Sequence, residues 1–295
     1  MTDITSTTPR AKKRFRWSAI FDHSILILGS LFMLLPVFLA LTTSSHDNVE
    51  IQREGLKFWF GNDIDENFGN AMFEKGGFTK TVTGMTMLMN SFILGIGFAV
   101  GKIILSMMAA YAIVYFRFRF ATFAFWIIFT TILLPLEVRI LPSYEVIQSI
   151  GLTNSYTGLI VPLLASATGT FFFRQFFLSV PEELVEAARI DGAGPVKFFV
   201  DILVPLSQTM IAAIFIIMFV YGWNQYLWPT LITTDEGLFT LVRGIRQIIQ
   251  AYAEGSEIPE YGQAMALALI AMLPPVAIVI FFQSWFVKGL VESDK

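Results

Sequence analysis

Along the chain, apolar residues fall into six long runs separated by polar segments, the pattern of a polypeptide that crosses a bilayer repeatedly. The runs cover about 20–41, 86–115, 121–134, 157–177, 206–232 and 262–287. They suit a hydrocarbon core of about 30 Å with some tilt. The pattern therefore predicts an all-α membrane protein with six transmembrane helices over residues 20–287. Two runs carry internal marks. In the second, Gly95, Gly97 and Gly101 suit close helix packing in lipid. After the third, Pro135 and Pro142 bracket a stretch with Glu137 and Arg139, and interrupted backbone at membrane depth survives only against protein or water. That stretch is a candidate cavity lining.

The polar segment 179–205, between the fourth and fifth runs, reads as two short helices joined by a bend. Gly192 tolerates the positive φ that closes one helix, and Pro195 is pre-set to begin the next. Val185, Ala188 and Arg189 share a face at helical spacing, while the small Ala187 and Ala188 admit a closely approaching partner surface. The segments 42–83, 148–156 and 233–261 read as loops on the other side of the membrane; the first carries Trp59 and Phe60, the last Arg243 and Arg246.

Basic residues orient this layout. With 1–19, Arg117, Arg119, Arg174, the 179–205 loop and 288–295 placed in the cytoplasm, that side holds 12 of the 20 Lys and Arg, although the opposite loops are longer. Both termini are then cytoplasmic. The first run exceeds a signal-peptide core and lacks a convincing small-residue cleavage site, so it is expected to remain as a span.

Composition adds exclusions. Hydrophobic residues make up 55% of the 295, charged residues 15%, and Phe alone numbers 30. A mean hydropathy of +0.65 confirms an integral membrane protein. A net charge of −3 offers no basic field for nucleic acid. Without Cys there is no disulfide or thiolate metal site, and His23 and His46 are too few and too separated for a metal cluster. No Walker-type phosphate loop is present, so any ATP chemistry belongs to another chain.

Two groups of residues are candidates for solute contact. Lys102 lies near the middle of the second run, where it either faces a cavity and attracts an anion, pairs with a carboxylate such as Glu137, or stretches toward water. Arg139 can bind phosphate through its bidentate fork, or pair with Glu137 at the interface. Trp223, Asn224, Gln225 and Tyr226 combine flat apolar faces with amide groups suited to a polyol, a mixture also found in aromatic belts. Pro229 suggests a broken helix there. Asn224 and Gln225 are expected to line the path, with Trp228 in the belt.

The order Glu186-Ala187-Ala188, three residues, Gly192, nine residues, Ile202, then Pro205 resembles the coupling loop of ABC importer permeases. Similarity to the carbohydrate-type permeases extends through Asn90-Ser91, Ala110-Tyr111-Ala112 with Arg117, 172–177, 181–184, Trp223-Asn224 and Trp228-Pro229. Within that family, Glu137-Val138-Arg139 before Pro142, Ala165 to Thr168 and Tyr221 to Pro229 look most like permeases of sn-glycerol-3-phosphate importers. Where many sugar members have an acidic residue after the Asn, this chain has Gln225; a neutral residue there favours an anion.

The resemblance implies a type I ABC importer permease of the bacterial inner membrane. It would pair with a second related permease, two ATP-binding subunits carrying ATP and Mg²⁺, and an extracytoplasmic substrate-binding protein; this chain binds no cofactor and hydrolyses nothing. In the coupling loop, Glu186 would support its helix or touch the ATPase, with Ala187 and Ala188 beside it. Gly192 sets the bend, Asp191 caps the following helix and Phe198 anchors in an ATPase groove. The expected cargo is sn-glycerol-3-phosphate, with a neutral sugar or other polyol as the alternative. A membrane-embedded enzyme would need a partner base that Glu137 lacks, and a proton- or sodium-coupled carrier would not need the loop.

Overall fold

The structure is a computed structural model of the chain and describes residues 17–74, 82–116, 118–253 and 260–291. The basic stretch through Arg16, Arg117 and the last four residues lie outside the described residues. Fifteen α-helices follow in order, without strands among the described residues. They are α1 (Trp17–Thr43), α2 (Asn48–Glu54), α3 (Ile64–Phe73), α4 (Gly84–Tyr115), α5 (Ala121–Thr130), α6 (Leu136–Ser149), α7 (Tyr156–Ile160) and α8 (Ala167–Ser179). After the loop helix α9 (Glu182–Ile190) come short turns α10 (Pro195–Lys197) and α11 (Val204–Leu206), separated by a π-helical turn at Phe198–Leu203. The chain closes with α12 (Gln208–Trp223), α13 (Leu227–Ile232), α14 (Leu241–Ala253) and α15 (Tyr261–Val291).

Three stretches, Phe21–Thr43, Gly84–Tyr115 and Tyr261–Gln283, are each long and apolar enough to cross a membrane unbroken. Three bent pairs raise the number to as many as six by length and composition. Ala121–Leu133 meets Glu137–Ser149 at 106°, Tyr156–Leu163 meets Ala167–Ser179 at 50°, and Pro195–Leu206 meets Gln208–Trp223 at 76°. The break after the third run is thus present, but Pro135 alone makes it. Pro142 lies inside α6, where a lost hydrogen bond is absorbed without ending the helix. The fourth run, expected as one continuous span, is interrupted as well, and the fifth is broken close to the proline that suggested it. Residues 164–166 separate α7 and its 3₁₀ turn from α8, and residues 224–226 separate α12 from α13.

The spine of the molecule is α4. At 32 residues it is about 48 Å long, and it packs against α12 on one side and α8 on another. Gly95 and Gly222 make the α12 crossing possible: a Cβ at Gly222 would lie 2.8 Å from the Phe98 Cβ and 3.2 Å from the Gly95 Cα. At the end remote from α9, Asn90 ties three segments together. Its Nδ2 donates to the carbonyls of Gly237 (2.8 Å) and Phe239 (2.9 Å), and its Oδ1 accepts from the Tyr156 hydroxyl. Next to it the Ser91 Oγ accepts from the Leu241 backbone N–H at 2.9 Å.

The described part of the long loop after α1 is folded rather than open. Asn67 on α3 donates to the Ser44 and His46 carbonyls at 3.0 and 2.9 Å, and the Asn48 side chain accepts from the Gly262 N–H, which docks the loop on α15. Lys57 joins Glu50 and Glu54 at 2.5 and 2.6 Å beside it.

Asn90→Ala leaves the buried Phe239 carbonyl without its donor, at a cost of about 1–3 kcal/mol. The expected outcome is a lower apparent melting temperature of the detergent-solubilised protein; unchanged melting would show that the clamp does not hold this end.

Candidate functional site

The breaks at 134–135, 164–166 and 224–226 open onto one cavity of about 570 Å³, while the bend at Ser207 does not. Its wall includes Leu134 and Pro135 from the first break, Ala165 and Ser166 from the second, and Asn224, Gln225 and Tyr226 from the third. Lys102, Glu137, Arg139, Thr131, Thr168, Met218 and Tyr221 complete the polar and aromatic part. Each break places a helix start and a helix end at the cavity. Ser166 caps α8 by accepting from the Gly169 N–H, whereas α6 and α13 begin without a side-chain cap. Free N–H groups at such starts favour anionic atoms, and the neighbouring helix ends present carbonyls to hydroxyls.

Lys102 is only 6% exposed, yet no carboxylate among the described residues forms an ion pair with it. Its Nζ instead lies 4.9 Å from the Tyr221 ring centre and 5.3 Å from that of Phe98. Arg139 is exposed in the same cavity and likewise lacks a carboxylate partner among the described residues. The pairing with Glu137 considered for each is therefore absent. With one carboxylate against two cations, the lining carries a net charge of +1.

Gln225 is buried at the wall, its Nε2 donating to the Tyr221 carbonyl, and Asn224 closes α12 with its Nδ2 on the Val220 carbonyl at 3.0 Å. Tyr226 carries a cation on its ring, the Arg246 guanidinium 4.6 Å away on α14. Behind it Arg243 donates to the Pro229 and Thr233 carbonyls and stacks on Phe239; burial brings its guanidinium down to about 10.

Trp223 departs from expectation. It is 1% exposed, donates to the Ala271 carbonyl at 3.0 Å and stacks on Phe219, so it belongs to the α4–α12–α15 core rather than the cavity wall. Trp228 is no belt residue either: fully buried, it donates to the carbonyls of Gly158 and Leu159. A buried indole needs an acceptor, and broken α7 supplies two.

At the far end of α4, the loop of 179–205 forms the expected bend, with Gly192 at φ +73°. Ala188 packs inward while Glu186 and Ala187 face out. Asp191 ends α9 instead of capping the next helix, which starts after Gly194. Phe198 is buried against Tyr111 and Tyr115, so it does not point outward as an anchor. The most exposed apolar side chains of this segment are Ile190 and Val196, at 85% and 76%.

The pattern of the family described as binding-protein-dependent transport system inner membrane component matches residues 102–292, from the cavity lysine through the loop to the last helix. The chain belongs to this family. It is 48% identical over 281 residues to the sn-glycerol-3-phosphate transport system permease protein UgpE of Brucella melitensis, covering 94% of this chain and 98% of that one. It is also 48% identical to UgpE of Pectobacterium atrosepticum over 276 residues, or 94% and 97% of the two chains. In fold it is similar to a chain of a bacterial ABC transporter involved in the import of the acidic polysaccharide alginate. There the TM-score is 0.76 at 20% identity, over 95% of this chain and all of that one.

As a family member the protein is a membrane transport subunit, not an enzyme. Of the six residues expected on the solute path, Lys102, Arg139, Asn224, Gln225 and Tyr226 converge and Trp223 does not. Thr131, Thr168 and Tyr221 join the wall without having been singled out for it; the signal available was their position beside a break. Trp223→Ala is expected to lower stability by about 3–5 kcal/mol, seen as early loss of folded protein on heating, without changing which solutes are carried. A changed solute preference with wild-type stability would place Trp223 on the path after all.

Proposed function

We propose that this chain is a permease subunit of an ATP-driven importer for sn-glycerol-3-phosphate. The observation that carries the reading is the cavity at the three breaks, where Lys102 and Arg139 stand without carboxylate partners among the described residues. A phosphate supplies the missing negative charge, with Arg139 presenting a fork and Lys102 a point charge. The carbonyls and amides around Asn224 and Gln225 suit the hydroxyls of the glycerol. The relatives named for this transport support the same cargo.

The partners are a second related permease, two ATP-binding subunits on the cytoplasmic side and an extracytoplasmic binding protein. Both termini and the 179–205 loop lie in the cytoplasm of a bacterial inner membrane. ATP and Mg²⁺ belong to the partner subunits, and this chain binds no cofactor itself. Glu186, Ala187, Ile190 and Val196 form the face that meets the ATPase, in place of the inward-turned Phe198. ATPase closure shifts the loop, and the loop biases the cavity between inward and outward access because its contacts differ in the two states.

The test is uptake of labelled sn-glycerol-3-phosphate into vesicles holding the full assembly, with ATP inside and maltose or glycerol as competitors. Neither competitor is expected to block uptake, and Arg139→Gln or Lys102→Gln should reduce it roughly tenfold, the loss of one charge-assisted hydrogen bond. Uptake of a neutral sugar in place of the phosphate, unaffected by either substitution, would leave the importer and remove its anionic cargo. Gly192→Val, which forces a β-branched residue to φ +73°, should abolish uptake while the protein still inserts; wild-type uptake would contradict a coupling role for the bend.

A further inference from the structure

The Ala110-Tyr111-Ala112 motif takes no part in the cavity, yet Tyr111 makes a directional contact with the coupling loop. Its hydroxyl donates to the Pro195 carbonyl at 2.9 Å, at the first residue of α10 and just before the π-helical turn. The ring lies among aromatic neighbours, with centroids 5.0 Å from Phe199, 5.3 Å from Phe116, 5.4 Å from Tyr115 and 6.4 Å from Phe198. One turn further on, the Tyr115 hydroxyl donates to the Phe177 carbonyl at 3.2 Å, tying the end of α8 to the same helix.

We propose that the Tyr111 hydroxyl is a positioning group that locks the coupling loop to α4, so that movement of the loop is delivered to the cavity wall at Lys102. Three features support this. The helix runs unbroken from Gly84 to Tyr115, so Tyr111 and Lys102 are fixed to one rod about 13.5 Å apart along its axis. Ring packing is non-directional, and a cavity of about 240 Å³ bounded by Tyr111, Tyr115, Val185, Ala188, Arg189 and Phe198 leaves the loop room to slide over the aromatic cluster. The hydrogen bond to Pro195 is then what fixes the register between loop and helix. A second tie, Ser106 donating to the Ser166 carbonyl at 3.3 Å, links the same rod to the cavity edge formed by α8.

This inference rests on the reading that the loop meets the ATPases. It is tested with the reconstituted full assembly carrying Tyr111→Phe, which keeps the ring and removes only the hydroxyl. Hydrolysis of ATP stimulated by the loaded binding protein is expected to persist, while solute imported per ATP falls at least threefold and the yield of assembled complex is unchanged. An unchanged ratio would overturn the proposal, as would uptake and hydrolysis falling in proportion, the mark of a merely structural tyrosine. The ratio is measured with whichever solute the wild-type assembly carries, so failure on the phosphate alone counts against the cargo and not the link. Ile190→Asp, on the exposed face of the loop and away from Tyr111, separates the remaining case: normal assembly and hydrolysis there would overturn the docking reading itself.

Discussion

Inside a bilayer, a backbone N–H or C=O without a partner costs several kcal/mol, so a helix can break at that depth only where protein or water receives the freed groups. Two of the bent pairs in this chain, and the interruption between α12 and α13, meet that constraint at one place. The ends at Pro135, Ser166 and Tyr226 all reach the same cavity, and the residues beside them supply its polar surface. The cavity is thus a consequence of where the helices break. Its charge follows from two further choices: a lysine in the middle of the longest unbroken span, and an arginine four residues beyond the proline that ends the third.

The same span joins the two ends of the molecule. Asn90 and Ser91 hold the segment before α14, Lys102 faces the cavity, Ser106 reaches the start of α8, and Tyr111 and Tyr115 hold the loop region. Close approach at Gly95 and Gly222 brings α12, which carries Met218 and Tyr221 into the cavity, directly against this rod. A transporter that alternates access needs rigid parts between its energy source and its solute, with bends confined to few places. Here the bends lie at Gly192, at the junction before α12 and at the three cavity breaks.

Much of this could be read from residue order. Long apolar runs, the glycines of the second run, the positive φ at Gly192 and a break at Pro135 each depend on local chemistry. Other features depend on packing. Pro142 carries the same local signal as Pro135, but only one of them stops its helix. The break at 224–226 precedes Pro229, which sits inside α13, so the proline marked the region and not the residue. Trp223 and Trp228 could equally have formed a belt, because a belt and a core draw on the same aromatic residues; only the positions of the Ala271 and Gly158 carbonyls decide. Phe198 turned inward because Tyr111 and Tyr115 of α4, remote in sequence, offer it an aromatic surface that local residue order does not reveal.

The central claim, that an anionic solute is held where three broken helices meet, is tested most directly by a cryo-EM structure of the full assembly trapped with sn-glycerol-3-phosphate. Density for the phosphate within hydrogen-bond reach of Arg139 or Lys102, with the glycerol toward Asn224 and Gln225, is the result this account predicts. Solute density elsewhere in the permease pair, with this cavity occupied by protein or lipid, would contradict it.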